Sequence, residues 1–119
     1  MKRLFSRDIG KIYEDIAQNY LKKQGLRLIT TNFNCRYGEL DLIMSESDVL
    51  VFVEVKFRRN KAFGGAIAAV SNSKQQKLTR TAQWYMQQNG LSNHQARFDV
   101  IAIEGADEIN WIKNAFYGQ

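Results

Sequence analysis

Hydrophobic and polar positions near the start of the chain follow a helical period. The apolar residues that recur at three- and four-residue spacing, supported by Tyr13 and Ala17, are Ile9, Ile12, Ile16, Tyr20 and Leu21. Gly25 follows two lysines and is typical of a helix C-terminus. The pattern therefore predicts an amphipathic helix, and residues 26–31 then predict a first strand.

The next segment, residues 37–44, changes to a period of two. Leu40 and Leu42 alternate with Glu39 and Asp41, which predicts a strand that carries its carboxylates on one face. Residues 45–48 have the composition of a turn.

Val49 to Phe57 is almost continuously apolar and rich in β-branched and aromatic residues, which predicts a central strand covered on both faces. The short turn before it makes these two strands an antiparallel hairpin.

The second half of the chain predicts one helix and one or two more strands. After a loop over residues 58–69, Ser71 or Ser73 is expected to cap a helix whose inner face carries Leu78, Ala82, Tyr85 and Met86. Residues 97–103 predict a strand, and residues 108–116 predict a last strand or extension. This order favours an α/β sandwich with a mixed central sheet flanked by helices, in a single domain over residues 1–119.

Composition narrows the class of protein. The 119 residues suit one domain, and no apolar run approaches the roughly 20 residues of a membrane-spanning helix. The basic start has no apolar segment behind it, so we expect no secretory signal, and the single Cys35 fits a reducing, cytoplasmic setting. The net charge of +5 raises the expectation of a polyanionic partner, for which nucleic acid is the usual choice.

Candidate chemistry is concentrated in the most hydrophobic strand. Glu54 and Lys56 lie two positions apart, so they share a face, and charges in a central strand are costly unless they are paired or open to a site. The hairpin partner carries Asp41. Two carboxylates on adjacent strands are suited to a hard cation such as Mg²⁺, and a neighbouring lysine can position water and stabilise negative charge. The alternative is an ion pair between Glu54 and Lys56 with a purely structural role.

These residues resemble the PD-(D/E)XK nuclease superfamily, in which archaeal Holliday-junction resolvases share a helix glutamate, a strand aspartate and a Glu-x-Lys triplet. Leu40 stands where the superfamily's proline precedes the aspartate. A resemblance to the YraN family of small bacterial proteins covers nearly the whole chain. The motifs that carry it are Gly10-x-x-x-Glu14-x-x-Ala17-x-x-Tyr20-Leu21, Asn32-x-x-x-Arg36, Gly38-Glu39-Leu40-Asp41-Leu42-Ile43, Phe52-Val53-Glu54-Val55-Lys56-x-Arg58 and Arg97-Phe98-Asp99-Val100.

The resemblance implies a restriction-endonuclease-like fold and a nuclease that uses Mg²⁺ or Mn²⁺ to hydrolyse phosphodiester bonds of DNA, including branched DNA. It implies Asp41, Glu54 and the Val55 carbonyl as metal ligands, Glu14 as an accessory ligand, and Lys56 as the residue that orients water. Cutting both strands of a junction needs two sites, which makes a homodimer an expected state.

Basic residues near the acidic strands are expected to contact a nucleic-acid backbone, with solvated surface charge as the alternative. They are Arg36, Arg58, Arg59 and Lys74. Two other functions stay open. One is a non-catalytic module that binds nucleic acid or recruits a protein, and the weaker one is hydrolysis of a small phosphate ester.

Overall fold

The computed structural model describes residues 6–58, 70–105 and 108–117. The elements follow the predicted order, with a helix, three strands, a second helix and two further strands. Their bounds are α1 Ser6–Lys23, β1 Arg27–Cys35, β2 Gly38–Glu46, β3 Val49–Arg58, α2 Asn72–Gln88, β4 Ala96–Glu104 and β5 Glu108–Phe116. Neither helix of these described ranges has an apolar stretch long enough to cross a membrane.

The five strands form one mixed sheet in the order β1-β2-β3-β4-β5. The predicted β2–β3 hairpin is antiparallel, as are the pairs at both ends of the sheet, whereas β3 and β4 run parallel. A parallel pair needs a long crossover connection, and α2 lies on the chain between these two strands. The predicted mixed α/β architecture is therefore confirmed.

The two helices bury different faces of the sheet. On the α1 side, Ala17 and Leu21 pack over a cluster formed by Leu26, Leu42, Met44, Val51, Val53, Ile101 and Ile103. On the α2 side, Leu78, Ala82 and Tyr85 pack over a cluster that includes Leu40, Ile43, Leu50, Phe52, Val100 and Ala102. Because β3 contributes to both clusters, it is the central covered strand that its composition predicted, and the molecule has three layers.

The apolar stripe of α1 is rotated from its predicted position. Ile9, Ile12 and Ile16 are 42%, 44% and 38% exposed. The other members of the predicted stripe are confirmed, because Ala17 and Leu21 are fully buried and the tyrosines at positions 13 and 20 pack against their cluster. The buried face is therefore centred on Ala17 and Leu21 rather than on the isoleucines. The small Ala17 side chain lets the helix approach the sheet closely, and the two tyrosines then extend the contact on either side.

Two turns are shorter than predicted. The β2–β3 turn consists of residues 47–48 rather than four residues, and Ser47 adopts a positive φ of 53°. The first strand does not end at residue 31 but continues to Cys35, so that β1 and β2 form a second tight hairpin. Its partner β2 pairs with Phe33, Asn34 and Cys35 and so keeps these residues in the strand.

The predicted alternation along β2 is interrupted at Asp41. Leu40 belongs to the α2-side core and Leu42 to the α1-side core, although strict alternation would place both on one face. On the neighbouring strand, Asn32 lies opposite this point and has a positive φ of 50°. Asp41 therefore lies at the point where the regular alternation of β2 breaks.

Candidate functional site

The candidate site lies where β2 and β3 separate. The two strands are paired from Glu46–Val49 as far as Leu42–Val53. One residue further on, the Asp41 Oδ2 atom accepts a 2.9 Å hydrogen bond from the backbone N–H of Val55. The Asp41 side chain, rather than a backbone carbonyl of β2, thus accepts this hydrogen bond from β3. The bond fixes the Asp41 carboxylate against the backbone of β3.

Glu54 brings a second carboxylate close to the first. It is 7% exposed, and it lines the same cleft as Asp41, so that its charge acts on the Asp41 carboxylate. Burial, followed by the charge of Glu54, raises the pKa of Asp41 to about 7, although the Val55 N–H acts in the opposite direction. Because two like charges are confined together, the pair favours the uptake of a proton or a cation.

Two lysines approach the same oxygen of Glu54. The Nζ atoms of Lys56 and Lys74 lie 3.6 Å and 3.8 Å from its Oε1 atom. Lys56 follows along β3, whereas Lys74 comes from the first turn of α2, where its N–H donates to the capping Ser71 hydroxyl at 3.1 Å. The predicted Glu54–Lys56 pair is present, and Lys74 lies beside the carboxylates.

Asn32 links two further acidic residues at the edge of the site. Its side-chain amide donates to Glu14 at 2.9 Å and to Glu39 at 3.2 Å. Burial raises the pKa of Glu14, and the nearby charges of Asp41 and Glu39 act in the same direction, while the amide of Asn32 lowers it. The helix glutamate predicted from the resemblance therefore lies close enough to the acidic pair to sense its charge.

A cleft of about 320 Å³ opens beside these carboxylates. Its walls come from α1 on one side and from β2 and β3 on the other, and it is lined by Ile9, Gly10, Tyr13, Glu14, Asp41, Glu54, Val55 and Phe57. The rings of Tyr13 and Phe57 stack with their centroids 4.0 Å apart. Solvent and small ligands therefore have access to Asp41 and Glu54 past an aromatic wall.

The oxygen atoms of the site provide some of the ligands that a hard divalent cation needs. Asp41 and Glu54 supply carboxylate oxygens, which Mg²⁺ and Mn²⁺ prefer. Within residues 6–58, 70–105 and 108–117, no three Asp, Glu, His or Cys side chains form a ready-made metal group. The structure thus brings together a pair of carboxylates, and the roles of Glu14 and the Val55 carbonyl as further ligands stay predictions.

The basic residues that the sequence predicts as nucleic-acid contacts do not gather at one place in the described part of the structure. Lys74 reaches the acidic pair, whereas Arg36 lies at the tip of the β1–β2 hairpin with its guanidinium 5.1 Å from the centre of the Tyr37 ring. The side chain of Arg58 and the whole of Arg59 lie outside the described residues. The described part of the chain therefore places one of these four cations at the carboxylates.

Sequence reasoning missed two features of the site. Asn32 was noticed only as part of a motif, because nothing in its own segment shows that its amide joins a helix to a strand. Lys74 is predicted from sequence only as a contact to the nucleic-acid backbone, and its contact with Glu54 depends on how α2 packs on the sheet.

The fold and the site define an α/β protein with a paired-carboxylate cleft and adjacent lysines. A family model for the uncharacterised protein family UPF0102 matches residues 13–103. The chain belongs to this family.

Similar proteins span nearly the full chain. A UPF0102 protein of Colwellia psychrerythraea is 52% identical over 97% of this chain and 93% of its own length. A UPF0102 protein of Vibrio parahaemolyticus is 49% identical over 94% of this chain and 95% of its own. One from Neisseria meningitidis is 45% identical over 88% and 91%, respectively.

Proposed function

We propose that this chain is a metal-dependent endonuclease of restriction-endonuclease-like fold that hydrolyses phosphodiester bonds of DNA. The observation that carries the proposal is that the Asp41 and Glu54 carboxylates line one cleft and influence each other's charge, with the Lys56 ammonium group 3.6 Å from Glu54. Adjacent strands supply the carboxylates, and the lysine lies two residues after Glu54. This arrangement of groups suits phosphoryl chemistry.

Asp41 and Glu54 would hold Mg²⁺ or Mn²⁺, with the Val55 carbonyl as a further oxygen ligand. The cation would bind the scissile phosphate and make an attacking water more acidic. The raised pKa of Asp41 supports this assignment, because a divalent cation would relieve the repulsion between the two carboxylates. The hydrogen bond from the Val55 N–H keeps Asp41 oriented for this role.

Lys56 has two tasks in the proposed reaction. Its ammonium group orients the attacking water and stabilises the negative charge that develops on the phosphate oxygens. The water oxygen bonds to phosphorus, the bond to the leaving sugar oxygen breaks, and the water's proton passes to solvent or to that oxygen. Lys74, which also contacts Glu54, would contact a neighbouring phosphate of the DNA backbone.

A cleavage assay tests the proposal. Labelled single-stranded, duplex, flap and four-way-junction DNA are incubated with the protein in Mg²⁺, Mn²⁺ or EDTA. Lys56→Ala is the test variant, and Lys22→Ala removes an exposed lysine at the end of α1 as a matched control. We expect metal-dependent product with the native protein and with Lys22→Ala, and none with Lys56→Ala.

Two results would count against the enzyme. Cleavage that survives in Lys56→Ala would overturn the assigned mechanism. Salt-sensitive binding without product in any metal would instead indicate the non-catalytic module, for which the two lysines already paired with Glu54 would serve as structural counter-ions.

A further inference from the structure

A second, larger cleft lies between α2 and the tip of the β1–β2 hairpin. It has a volume of about 440 Å³, within the roughly 300–1,000 Å³ that small-molecule sites occupy. Tyr37 lines it from the hairpin, and Arg80, Gln83, Trp84 and Gln87 line it from α2. We call it the aromatic cleft. The catalytic proposal uses none of its lining residues.

The walls of the aromatic cleft combine rings, amides and a cation. The rings of Tyr37 and Trp84 are partly exposed and meet edge to face, with their centroids 5.9 Å apart. Arg36 holds its guanidinium against the Tyr37 ring, so a second positive charge stands beside the cleft. No lining residue is acidic, and neither Arg36 nor Arg80 forms an ion pair within the described ranges.

These groups match the parts of one nucleotide. An aromatic face stacks on any base, an arginine contacts a phosphate, and glutamine amides both donate to and accept from base edges. A base stacks on a protein ring only where a neighbouring base does not cover its face, and in the interior of a duplex both faces of every base are covered. The chemistry therefore selects single-stranded nucleic acid.

Helix α2 connects this cleft to the acidic pair. Lys74 contacts Glu54, and Arg80 lies six residues further along the same helix. Six residues of α-helix span about 9 Å, which is two to three steps at the B-form rise of about 3.4 Å and fewer steps of a more extended single strand. A strand with one phosphate at the acidic pair therefore reaches the aromatic cleft a few nucleotides away.

We propose that the aromatic cleft binds an unpaired base of a single strand and holds it a few nucleotides from the phosphate at Asp41 and Glu54. The inference rests on the proposed nuclease function and specifies its substrate class, which is nucleic acid with a single-stranded segment. Trp84 and Tyr37 provide the stacking surface, and Arg80 contacts the phosphate of the bound nucleotide.

The competing explanation is structural, because the Tyr37–Trp84 contact also joins the hairpin to α2. The test therefore measures binding of a short fluorescent oligothymidylate and of an abasic strand of equal length by anisotropy in EDTA. The abasic strand keeps every phosphate and lacks the bases, so the ratio of the two affinities reports base stacking. A fold defect does not by itself alter this ratio selectively.

Two variants probe the cleft. Trp84→Leu removes the larger ring, and Arg80→Gln changes an exposed side chain without loss of core packing. Lys22→Gln is the matched control for the charge change. We expect Trp84→Leu to weaken oligothymidylate binding about tenfold and to leave abasic binding nearly unchanged. Arg80→Gln should weaken both, and Lys22→Gln should weaken neither.

Equal affinity of the native protein for both strands, or no binding of either, would overturn the proposal. An unchanged affinity ratio in Trp84→Leu would overturn it as well. The same oligonucleotides in ribose form show whether the site accepts RNA, because stacking alone does not distinguish the sugars.

The outcome is separable from that of the nuclease proposal. If the native protein cleaves and Trp84→Leu cleaves and binds equally well, only the cleft assignment fails. If no metal supports cleavage but base-dependent binding requires Trp84, the cleft assignment holds and the enzyme assignment fails.

Discussion

At the scale of single residues, Asp41 combines a structural and a chemical property. It accepts a hydrogen bond from Val55, which stabilises the split between β2 and β3, and it also shares a confined site with Glu54. An asparagine keeps an acceptor oxygen for the Val55 N–H but carries no charge. Asp41→Asn therefore separates the two properties, whereas an alanine would remove both.

The raised pKa of Asp41 predicts how stability depends on pH without metal. The folded protein binds this proton more tightly than the unfolded chain, so ionisation destabilises the fold as the pH rises from about 4 to about 7. The penalty is absent below this window and complete above it. We expect Asp41→Asn to exceed the native protein in unfolding free energy at about pH 8, by at most about 4 kcal/mol, and to differ less at about pH 5.

Urea unfolding in EDTA at both pH values measures this difference. Asp48→Asn changes an exposed acid in the β2–β3 turn and is the control. A gain for Asp41→Asn that is equal at both pH values would contradict the prediction. Addition of Mg²⁺ should reduce the gain, because the cation would stabilise only the native pair of carboxylates.

Asp99 is a buried charge of a different kind. It is fully buried and accepts hydrogen bonds from Arg97 Nε at 3.0 Å, Trp111 Nε1 at 2.9 Å and the Asn114 N–H at 2.9 Å. Trp111 and Asn114 lie on β5, so their bonds to Asp99 join β4 to β5, and the ion pair between Arg97 and Asp99 has a structural role.

Removing Asp99 should be strongly destabilising. Asp99→Ala leaves the buried donors without their acceptor, and we expect a loss of about 3–5 kcal/mol in unfolding free energy. Glu46→Ala removes the more exposed partner of Arg97 and should cost less than about 1 kcal/mol. Urea unfolding measures both losses. Equal losses in the two variants would contradict the structural role of Asp99 as the buried acceptor that joins β4 to β5.

At the scale of elements, the rotated stripe of α1 makes a direct prediction. Leu21 is fully buried against the sheet, whereas Ile12 is 44% exposed. Leu21→Ala should cost about 2–5 kcal/mol of unfolding free energy, and Ile12→Ala should change it by less than about 0.5 kcal/mol. Comparable losses would show that the isoleucine face is buried in solution.

The sequence predicts those parts of the structure whose causes lie within a few neighbouring residues. Strand β3 and helix α2 follow from composition, spacing and the Ser71 cap, all of which act within a few residues. The rotation of α1 depends on how closely Ala17 approaches the sheet. The break at Asp41 depends on Asn32 in a neighbouring strand and on the parting of β2 from β3. Packing between distant segments of this kind leaves no pattern in the local sequence from which it could be predicted.

The candidate site shows the same division. The pairing of Asp41 with Glu54 followed from hairpin register, because both residues lie on strands joined by a short turn. The contacts of Asn32 and Lys74 depend on α1 and α2, whose placement on the sheet a single sequence does not specify. Sequence therefore predicted the chemistry of the strands better than the groups that the helices bring to them.

At the scale of the whole molecule, the net charge of +5 predicts salt-sensitive binding to nucleic acid, but only cations that contact phosphate determine its salt dependence. Each such contact contributes about 0.7–0.9 to the slope of log affinity against log salt. Lys74→Ala should therefore flatten the slope by about that amount, and Lys22→Ala should leave it unchanged.

Divalent metal adds a second condition to this prediction. Without metal, Lys74 is paired with Glu54, whereas a cation held by Asp41 and Glu54 would free its ammonium group for phosphate. The flattening caused by Lys74→Ala should thus be larger in Mg²⁺ than in EDTA. Titrations of single-stranded DNA in a Lys56→Ala background, which the proposed mechanism leaves unable to cleave, measure both slopes. An equal effect in Mg²⁺ and EDTA would show that Lys74 does not exchange Glu54 for phosphate, and that the acidic pair and the DNA contact act independently.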